Sequence, residues 1–198
     1  MNSHEEKNEL SRRSMLAGIF SAALSLPSVL ALAGTRSLDR KFDSRFEMAI
    51  EVEIATQDGW RVHRPYVAVW LEDRDGKSVR TLSLWVQTQR RGPRWIPDLR
   101  RWYRDEQNRS QVDGGNMIYT VSSATREAGK YTVIWDGKND KGKLVDQGEY
   151  TLCIEAAREH GTYQLITKKL KVGSSAFKEA LPGNIELKGA AVEFRKRK

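Results

Sequence analysis

Apolar side chains at every second position mark the first clear segment of this chain. They run from Phe46 to Ile54 and alternate with the more polar or smaller residues between them. A period of two is the period of a β-strand, and it places the apolar side chains on one face. Such a face has to be buried against a second layer of structure, so this segment predicts a sheet packed against another layer.

Further short segments of strand character follow at close spacing. They are residues 66–71, 79–87, 131–135, 149–158 and 163–172, and residues 184–194 add a candidate edge strand. Turn-forming sequences such as Asp73-Arg74-Asp75-Gly76 separate them. This organisation predicts an all-β fold, an immunoglobulin-like antiparallel β-sandwich with one short helix in an inserted loop.

Two regions depart from the strand pattern. Residues 88–117 form an insertion in which a proline-containing loop leads into a short helix at 98–105, with Asp98 as its N-cap. A polar, exposed loop is predicted to follow at 108–116. Residues 174–198 are harder to assign, and the four bases at their end are interpreted as part of a basic tail.

The N-terminal sequence has the three-part layout of an export signal. Arg12 and Arg13 precede an uncharged apolar run at 16–33, which ends in the Ala31-Leu32-Ala33 pattern typical of a signal-peptidase site. Paired arginines are typical of twin-arginine export, so we expect the twin-arginine translocase as a partner during export and a periplasmic location. We predict cleavage near Ala33 and a single mature domain at 34–198. An uncleaved membrane anchor and a buried helix are the alternatives.

The cysteine count limits the interactions that can stabilise the fold, and the net charge limits the kinds of partner that can bind it. Cys153 is the single cysteine, so no intramolecular disulfide can form and core packing has to stabilise the domain. The formal net charge of +8 favours an anionic partner: acidic lipid headgroups at the membrane surface, an anionic protein, or a phosphate-bearing cofactor. A solvated basic surface explains the same charge. The predicted export from the cytoplasm argues against nucleic acid as the anionic partner.

Tryptophan and arginine are concentrated between residues 85 and 104. We predict an interaction surface there, because interfaces are enriched in both residue types. Its predicted members are Trp85, Arg91, Arg94, Trp95, Arg101 and Trp102. Burial of the tryptophans in the core is the alternative, since tryptophan is highly buried on average.

Groups with recognisable catalytic or metal chemistry are scarce. His63 and His160 are weak candidates for metal or haem ligands, and no ligand-spacing motif accompanies them. Cys153 lies in a strand segment and is expected to be a packed thiol rather than a nucleophile. No catalytic set is recognisable, so the protein is predicted not to be an enzyme and to carry no cofactor. An uncharacterised hydrolase is the alternative.

Motifs spread over most of the mature chain carry a family resemblance. They are Pro65-Tyr66-Val67-Ala68-Val69-Trp70-Leu71-Glu72-Asp73, Val79-x-Thr81-Leu82-x-Leu84-Trp85, Trp95-Ile96-x-Asp98-Leu99-x-x-Trp102, Ser122-Ser123-Ala124-Thr125-Arg126, Trp135-Asp136-Gly137 and Glu155-Ala156-Ala157-Arg158-Glu159-His160-Gly161. Together they resemble a bacterial family of predicted periplasmic proteins, domain of unknown function 2271. The Trp135-Asp136-Gly137 turn, followed by Gly148-Glu149-Tyr150, is also similar to the immunoglobulin-like domain of the flagellar hook-capping protein. The family resemblance implies an exported β-sandwich, and the second resemblance implies an immunoglobulin-like fold without indicating a function.

The family resemblance also implies a functional setting. Members are often linked with membrane flavoproteins and flavin-transferase systems, which implies extracytoplasmic electron transfer or iron handling. Ser122-Ser123-Ala124-Thr125 resembles the acceptor sequence of flavin-transferase targets, so it implies FMN on Thr125 through a phosphoester, with Arg126 at the phosphate. Ser123 stands where the acceptor sequence has glycine, and no acidic residue lies just upstream. An ordinary strand end is the alternative.

Three functional hypotheses follow from these observations. The first is a non-enzymatic periplasmic accessory or interaction module whose partner is an envelope protein, such as a membrane flavoprotein. The second is a cofactor carrier, with covalent FMN on Thr125 or haem near His63 or His160. The third is a hydrolase.

Overall fold

Nine strands in two sheets account for about half of the chain that the computed structural model describes, residues 40–57 and 63–197. The strands are β1 (Phe46–Ile54), β2 (Tyr66–Glu72), β3 (Ser78–Trp85), β4 (Ser122–Ser123), β5 (Gly129–Trp135), β6 (Gly148–Ala157), β7 (Tyr163–Val172), β8 (Phe177–Pro182) and β9 (Leu187–Lys196). Hydrogen bonds join them in the orders β5-β1-β9-β8 and β4-β3-β2-β6-β7. The pairings are antiparallel except for the short parallel contact between β3 and β4. The predicted signal peptide lies outside the described residues.

The two sheets share one core, which confirms the predicted all-β sandwich. Met48, Ile50 and Val52 of β1 are fully buried in it, as the alternation in the sequence predicts. Val69 of β2 and Leu152 of β6 reach the same core from the five-stranded sheet. Burial of these faces between the sheets is the main source of stability in a chain without a disulfide.

A helical insertion covers the outer face of the five-stranded sheet. It consists of a 3-10 helix (Gly92–Asp98), α1 (Arg100–Asp113) and α2 (Met117–Val121). Leu99 and Trp102 of this insertion pack against Trp70 of β2 in a second core. Because β2 is buried on both faces, it reads as a continuous apolar run rather than an alternating one. Among the described residues, no helix has the length and apolar character needed to cross a membrane.

Helix α1 is longer than predicted and is capped from elsewhere. It runs to Asp113, so the exposed loop predicted at 108–116 is wrong for most of its length. The carboxylate of Glu155 on β6 accepts hydrogen bonds from the backbone N–H groups of Arg101 and Trp102, each at 2.9 Å. Asp98 is therefore not the N-cap, because a buried carboxylate from a distant strand occupies the positive end of the helix.

The segment interpreted as a basic tail at 174–198 is largely part of the four-stranded sheet. β9 pairs with β1 on one side and β8 on the other, so it is a central strand and not an edge strand. Val192 and Phe194 are fully buried, whereas Glu193 and Arg195, which alternate with them, form an ion pair at 3.1 Å. Arg195 and Lys196 belong to β9, so the run of bases alone wrongly indicated a tail outside the sheet.

The turn after β5 is closed by two aromatic side chains. The indole N–H of Trp135 donates to the carbonyl oxygen of Lys138 at 2.8 Å. The hydroxyl of Tyr150 donates to the carbonyl oxygen of Asp146 at 2.6 Å, an arrangement similar to a tyrosine corner. These bonds hold the Trp135-Asp136-Gly137 turn against the inter-sheet core.

Candidate functional site: an arginine-lined cleft

A cleft of about 690 Å³ opens where three neighbouring strands of the five-stranded sheet meet the insertion. β2 runs antiparallel to both β3 and β6, so its first residue, Tyr66, lies beside the ends of the other two. The loops that leave these ends therefore converge. The lining residues are His63, Arg64, Tyr66, Gln87, Arg90, Arg91, Gly92, Arg94, Trp95, Asp98, Thr125, Ala157 and Glu159.

The segment that follows β3 brings three arginines to this cleft. Arg90 has a φ of 55°, in the left-handed region of backbone conformation that is unfavourable for residues other than glycine. At Gly92 a Cβ atom would lie 2.3 Å from the carbonyl oxygen of Gln87, so only glycine allows this close approach. The hydroxyl of Tyr66 donates to the carbonyl oxygen of Gly92 at 3.0 Å, and burial raises the pKa of Tyr66, which keeps this donor protonated. The turn that carries Arg90 and Arg91 is therefore fixed to the sheet.

The cleft carries more positive than negative groups. Four arginine side chains line it, against the carboxylates of Asp98 and Glu159. Arg64 forms an ion pair with Glu127. Within the described residues, Arg90, Arg91 and Arg94 have no carboxylate within 4.0 Å, although all three are exposed. Three guanidinium groups that form no close ion pair and lie in one small region favour the binding of an anion.

Aromatic and imidazole groups form one side of the cleft. The guanidinium of Arg94 lies 5.0 Å from the centre of the Trp95 ring, and His160 contacts the same ring edge-on with centroids 5.5 Å apart. His63 and His160 approach different oxygens of Glu159, at 3.7 and 3.8 Å. His160 has a φ of 54°, so both described residues other than glycine with positive φ lie at or beside the cleft. Strained backbone of this kind clusters at functional sites.

A second groove of about 510 Å³ adjoins the cleft. The two share Arg64, Gln87 and Thr125 as lining residues. The rest of the groove is lined by Val86, Thr88, Gln89, Ser122, Ser123 and Ala124. β4 fixes this wall, because the backbone N–H of Val86 donates to the carbonyl oxygen of Ser123 at 2.9 Å.

The structure divides the predicted tryptophan and arginine surface into two groups. Arg91, Arg94 and Trp95 line the cleft. Trp85 and Trp102 are only 4% and 2% exposed and lie in the two cores, so their assignment to an interaction surface is wrong. The indole N–H of Trp102 donates to the hydroxyl of Thr81 at 3.1 Å, which satisfies its one polar group inside the protein.

Arg101 is also engaged inside the protein. Its guanidinium donates to both carboxylate oxygens of Glu72, at 3.0 and 2.6 Å, and Glu72 is only 1% exposed. The indole N–H of Trp70 donates to the same carboxylate at 2.9 Å. Arg101 therefore joins α1 to the sheet, and we remove it from the predicted interaction surface.

Thr125 and Arg126 take different positions. Thr125 is half-buried where the cleft meets the groove. The guanidinium of Arg126 lies 5.8 and 5.7 Å from the ring centres of Trp85 and Tyr131, and this residue is not part of the cleft wall. Arg64 lines both cavities together with Thr125, whereas Arg126 lines neither of them.

The histidines and the cysteine offer little metal or nucleophile chemistry. His63 lines the cleft and His160 lies beside it, yet no group of three or more His, Cys, Asp or Glu side chains in the described residues is arranged to hold a metal ion. Cys153 is fully buried, and burial raises the pKa of its thiol far above neutral pH. Cys153 is thus a packed thiol in the second core, as its position in a strand predicts.

Sequence reasoning missed Arg64 and left Arg90 out of the predicted site. The signal that identifies them is their position relative to the strands. Arg64 lies two residues before β2, and Arg90 lies five residues after β3. In an antiparallel pair the start of one strand lies beside the end of the other, so these two arginines are expected to approach each other.

The fold and the cleft define a β-sandwich protein with an arginine-lined cleft at one end of its larger sheet. The family model described as predicted periplasmic protein DUF2271 matches residues 47–189, and the chain belongs to this family. No curated protein and no solved structure matches the chain. The similarity to the flagellar hook-capping domain finds no support in these comparisons and stays a prediction.

Proposed function

We propose that this protein is a non-enzymatic periplasmic accessory module that binds an anionic partner group in the arginine-lined cleft. The observation that carries the proposal is the convergence of Arg90, Arg91 and Arg94, none with a carboxylate partner among the described residues, on one cleft. The description of the family as periplasmic supports the location. The absence of a recognisable catalytic set in the sequence is the reason for proposing binding rather than reaction.

Electrostatics favours an anion over a neutral ligand. Like charges that are held close together repel one another, and a bound anion relieves that repulsion. Guanidinium groups bind phosphate and carboxylate oxygens through paired hydrogen bonds, which add direction to the attraction. The fixed turn at Gly92 supports this arrangement, because backbone that is already ordered loses little entropy on binding.

The partner in this proposal is an envelope component that presents a phosphate or carboxylate group. A membrane flavoprotein in an electron-transfer or iron-linked system is the partner that the sequence resemblance implies. The other exposed bases, such as Lys169 and Lys171 on β7, offer a route to acidic membrane headgroups. These bases lie on a different strand from those that border the cleft, so the two kinds of contact can be tested separately.

Removal of the cleft arginines is expected to weaken anion binding. Calorimetric titration with inorganic pyrophosphate at low ionic strength measures the affinity directly. We expect Arg91→Ala to weaken binding about tenfold, since a hydrogen bond to a charged group contributes about 1.5–3 kcal/mol. Arg91→Ala combined with Arg94→Ala is expected to weaken it about 100-fold, and added salt to weaken it further.

Lys169→Ala is the matched control, because it removes one exposed positive charge from β7 and leaves the cleft unchanged. An equal loss of affinity in Lys169→Ala and Arg91→Ala would mean that net charge rather than the cleft binds the anion. Absence of any measurable binding to the unaltered protein would also contradict the proposal.

The position of Thr125 favours a second candidate function, a covalent flavin carrier. Its half-buried hydroxyl lies at the junction of the two cavities with Arg64 in the shared wall, so the residues present suit a phosphoester with a nearby cation. FMN attached there would supply redox chemistry, and the chain would hold its phosphate near Arg64. The same residues suit haem poorly, because charged side chains rather than apolar ones dominate the cleft wall.

Intact mass and a visible spectrum of protein purified from its native periplasm test this candidate. A covalent flavin predicts yellow protein whose added mass equals one FMN phosphoester and disappears in Thr125→Ala. Thr120→Ala, which removes an exposed hydroxyl on α2, is expected to keep colour and mass. Colourless protein at the mass of the bare polypeptide would contradict the carrier function and leave the binding module.

A further inference from the structure

The arginine-lined cleft and the adjoining groove differ sharply in chemistry. Six charged side chains line the cleft, whereas Arg64 is the one charged residue among the described residues that line the groove. The remaining polar side chains of the groove are neutral: Gln87, Thr88, Gln89, Ser122, Ser123 and Thr125. Hydroxyl and amide groups both donate and accept hydrogen bonds, so they match the hydroxyl groups of a ligand.

The two cavities are neighbours that share part of their walls, so one ligand can contact both. Arg64, Gln87 and Thr125 line both of them, so a molecule that crosses this boundary contacts each set of side chains. Their volumes, about 690 and 510 Å³, each fall in the range of about 300–1,000 Å³ that is typical of small-molecule sites. A single inorganic phosphate would leave most of this space filled with water.

We infer that the two cavities form one bipartite site for a phosphorylated polyol, such as a sugar phosphate. The phosphate binds Arg90, Arg91 and Arg94 in the cleft, and the hydroxylated body of the ligand binds the serine and threonine side chains of the groove. This inference rests on the proposed function and names the chemical class of its ligand.

An acidic peptide suits the combined site less well. Its carboxylates repeat along the chain, and those beyond the arginines would lie in a groove where Arg64, already paired with Glu127, is the one cation that the described part of the chain supplies. An anion placed there loses its hydration without gaining a counter-charge. A ligand with its charge at one end and neutral hydroxyl groups at the other avoids this loss.

Comparison of glucose 6-phosphate with inorganic phosphate tests the inference. Calorimetric titration of the full chain is expected to show that glucose 6-phosphate binds at least about tenfold more tightly, since two or three additional hydrogen bonds are available to its hydroxyl groups. Glucose alone is expected not to bind. Arg91→Ala should weaken both phosphates by a similar factor.

Variants in the groove separate its contribution from that of the cleft. Thr88→Val with Ser123→Ala is expected to reduce the preference for glucose 6-phosphate to about twofold and to leave inorganic phosphate unaffected. Thr167→Val, an exposed position on β7 outside both cavities, is the matched control and should retain the preference. Far-ultraviolet circular dichroism of each variant establishes that the fold is intact.

The results distinguish failure of this inference from failure of the proposed function. Equal affinity for both phosphates, or binding of polyglutamate alone, overturns the bipartite site while anion binding at the cleft stands. No binding of any anion overturns both. Vesicles containing phosphatidylinositol distinguish the source of the ligand: displacement of glucose 6-phosphate by them indicates a lipid headgroup, and its absence indicates a soluble ligand, both with the inferred chemistry.

Discussion

Glu155→Ala is expected to lower the free energy of unfolding by about 3 kcal/mol. Glu155 is fully buried, and its two carboxylate oxygens accept hydrogen bonds from the backbone N–H groups of Arg101 and Trp102 at the start of α1. Loss of the carboxylate removes two charge-assisted hydrogen bonds and leaves unsatisfied donors at the buried end of the helix. The removal of one buried negative charge offsets part of this loss, which is why the estimate stays near the lower end of the range for such bonds.

Urea denaturation followed by circular dichroism measures this effect. Glu155→Gln keeps one acceptor but turns an N–H group toward the helix, so it is expected to lie between the unaltered protein and Glu155→Ala. Glu149→Ala, an exposed glutamate on the same strand β6, is the control and should change stability by less than about 0.5 kcal/mol. Equal stability of the two alanine variants would contradict the role of Glu155 as the cap of α1.

Gly137→Ala is expected to destabilise the protein by about 3 kcal/mol, for two separate reasons. Gly137 has a φ of 80°, which L side chains adopt at a cost of about 1–2 kcal/mol. A Cβ atom at this position would also lie 2.2 Å from ring carbons of Phe42. The Phe42 ring cannot move freely, because it packs edge-on against Trp135 and Phe194 with centroids 5.2 and 5.8 Å apart.

Gly142→Ala separates the two contributions at Gly137. Gly142 has a φ of 73°, and a Cβ atom there would meet no other atom within 4 Å. We therefore expect only the backbone cost, about 1 kcal/mol, from Gly142→Ala. Thermal or urea unfolding of both variants gives the comparison. If the two substitutions were equally destabilising, contact with Phe42 would not be the reason that this turn requires glycine.

Local periodicity predicted the strands well because their burial pattern is set by neighbouring residues. The alternation from Phe46 to Ile54 appears in the structure as β1, with the alternate residues buried between the sheets. The N-cap of helix α1 was predicted wrongly because the capping carboxylate belongs to Glu155, which lies 54 residues from Arg101. No local pattern identifies a cap supplied by a distant strand.

In the candidate site, too, local sequence predicted some residues correctly, whereas the burial of others depends on distant parts of the chain. Arg91, Arg94 and Trp95 were predicted from a local concentration of arginine and tryptophan, and all three line the cleft. The same composition could not show that Trp85 and Trp102 are buried, because tryptophan serves both cores and interfaces. Trp102 is buried in the core under the insertion and Trp85 in the core between the two sheets, so both assignments depend on contacts with distant segments.

The central claim is that anions bind at the arginine-lined cleft, and backbone amide shifts in a ¹⁵N-labelled sample titrated with pyrophosphate test it most directly. We predict that the largest shifts occur at Arg90, Arg91, Gly92 and Arg94, with smaller ones at Arg64 and Thr125, and that the amides of residues 168–171 on β7 stay unchanged. Shifts centred on β7 or on the end of β9, or no shifts at all, would contradict the claim.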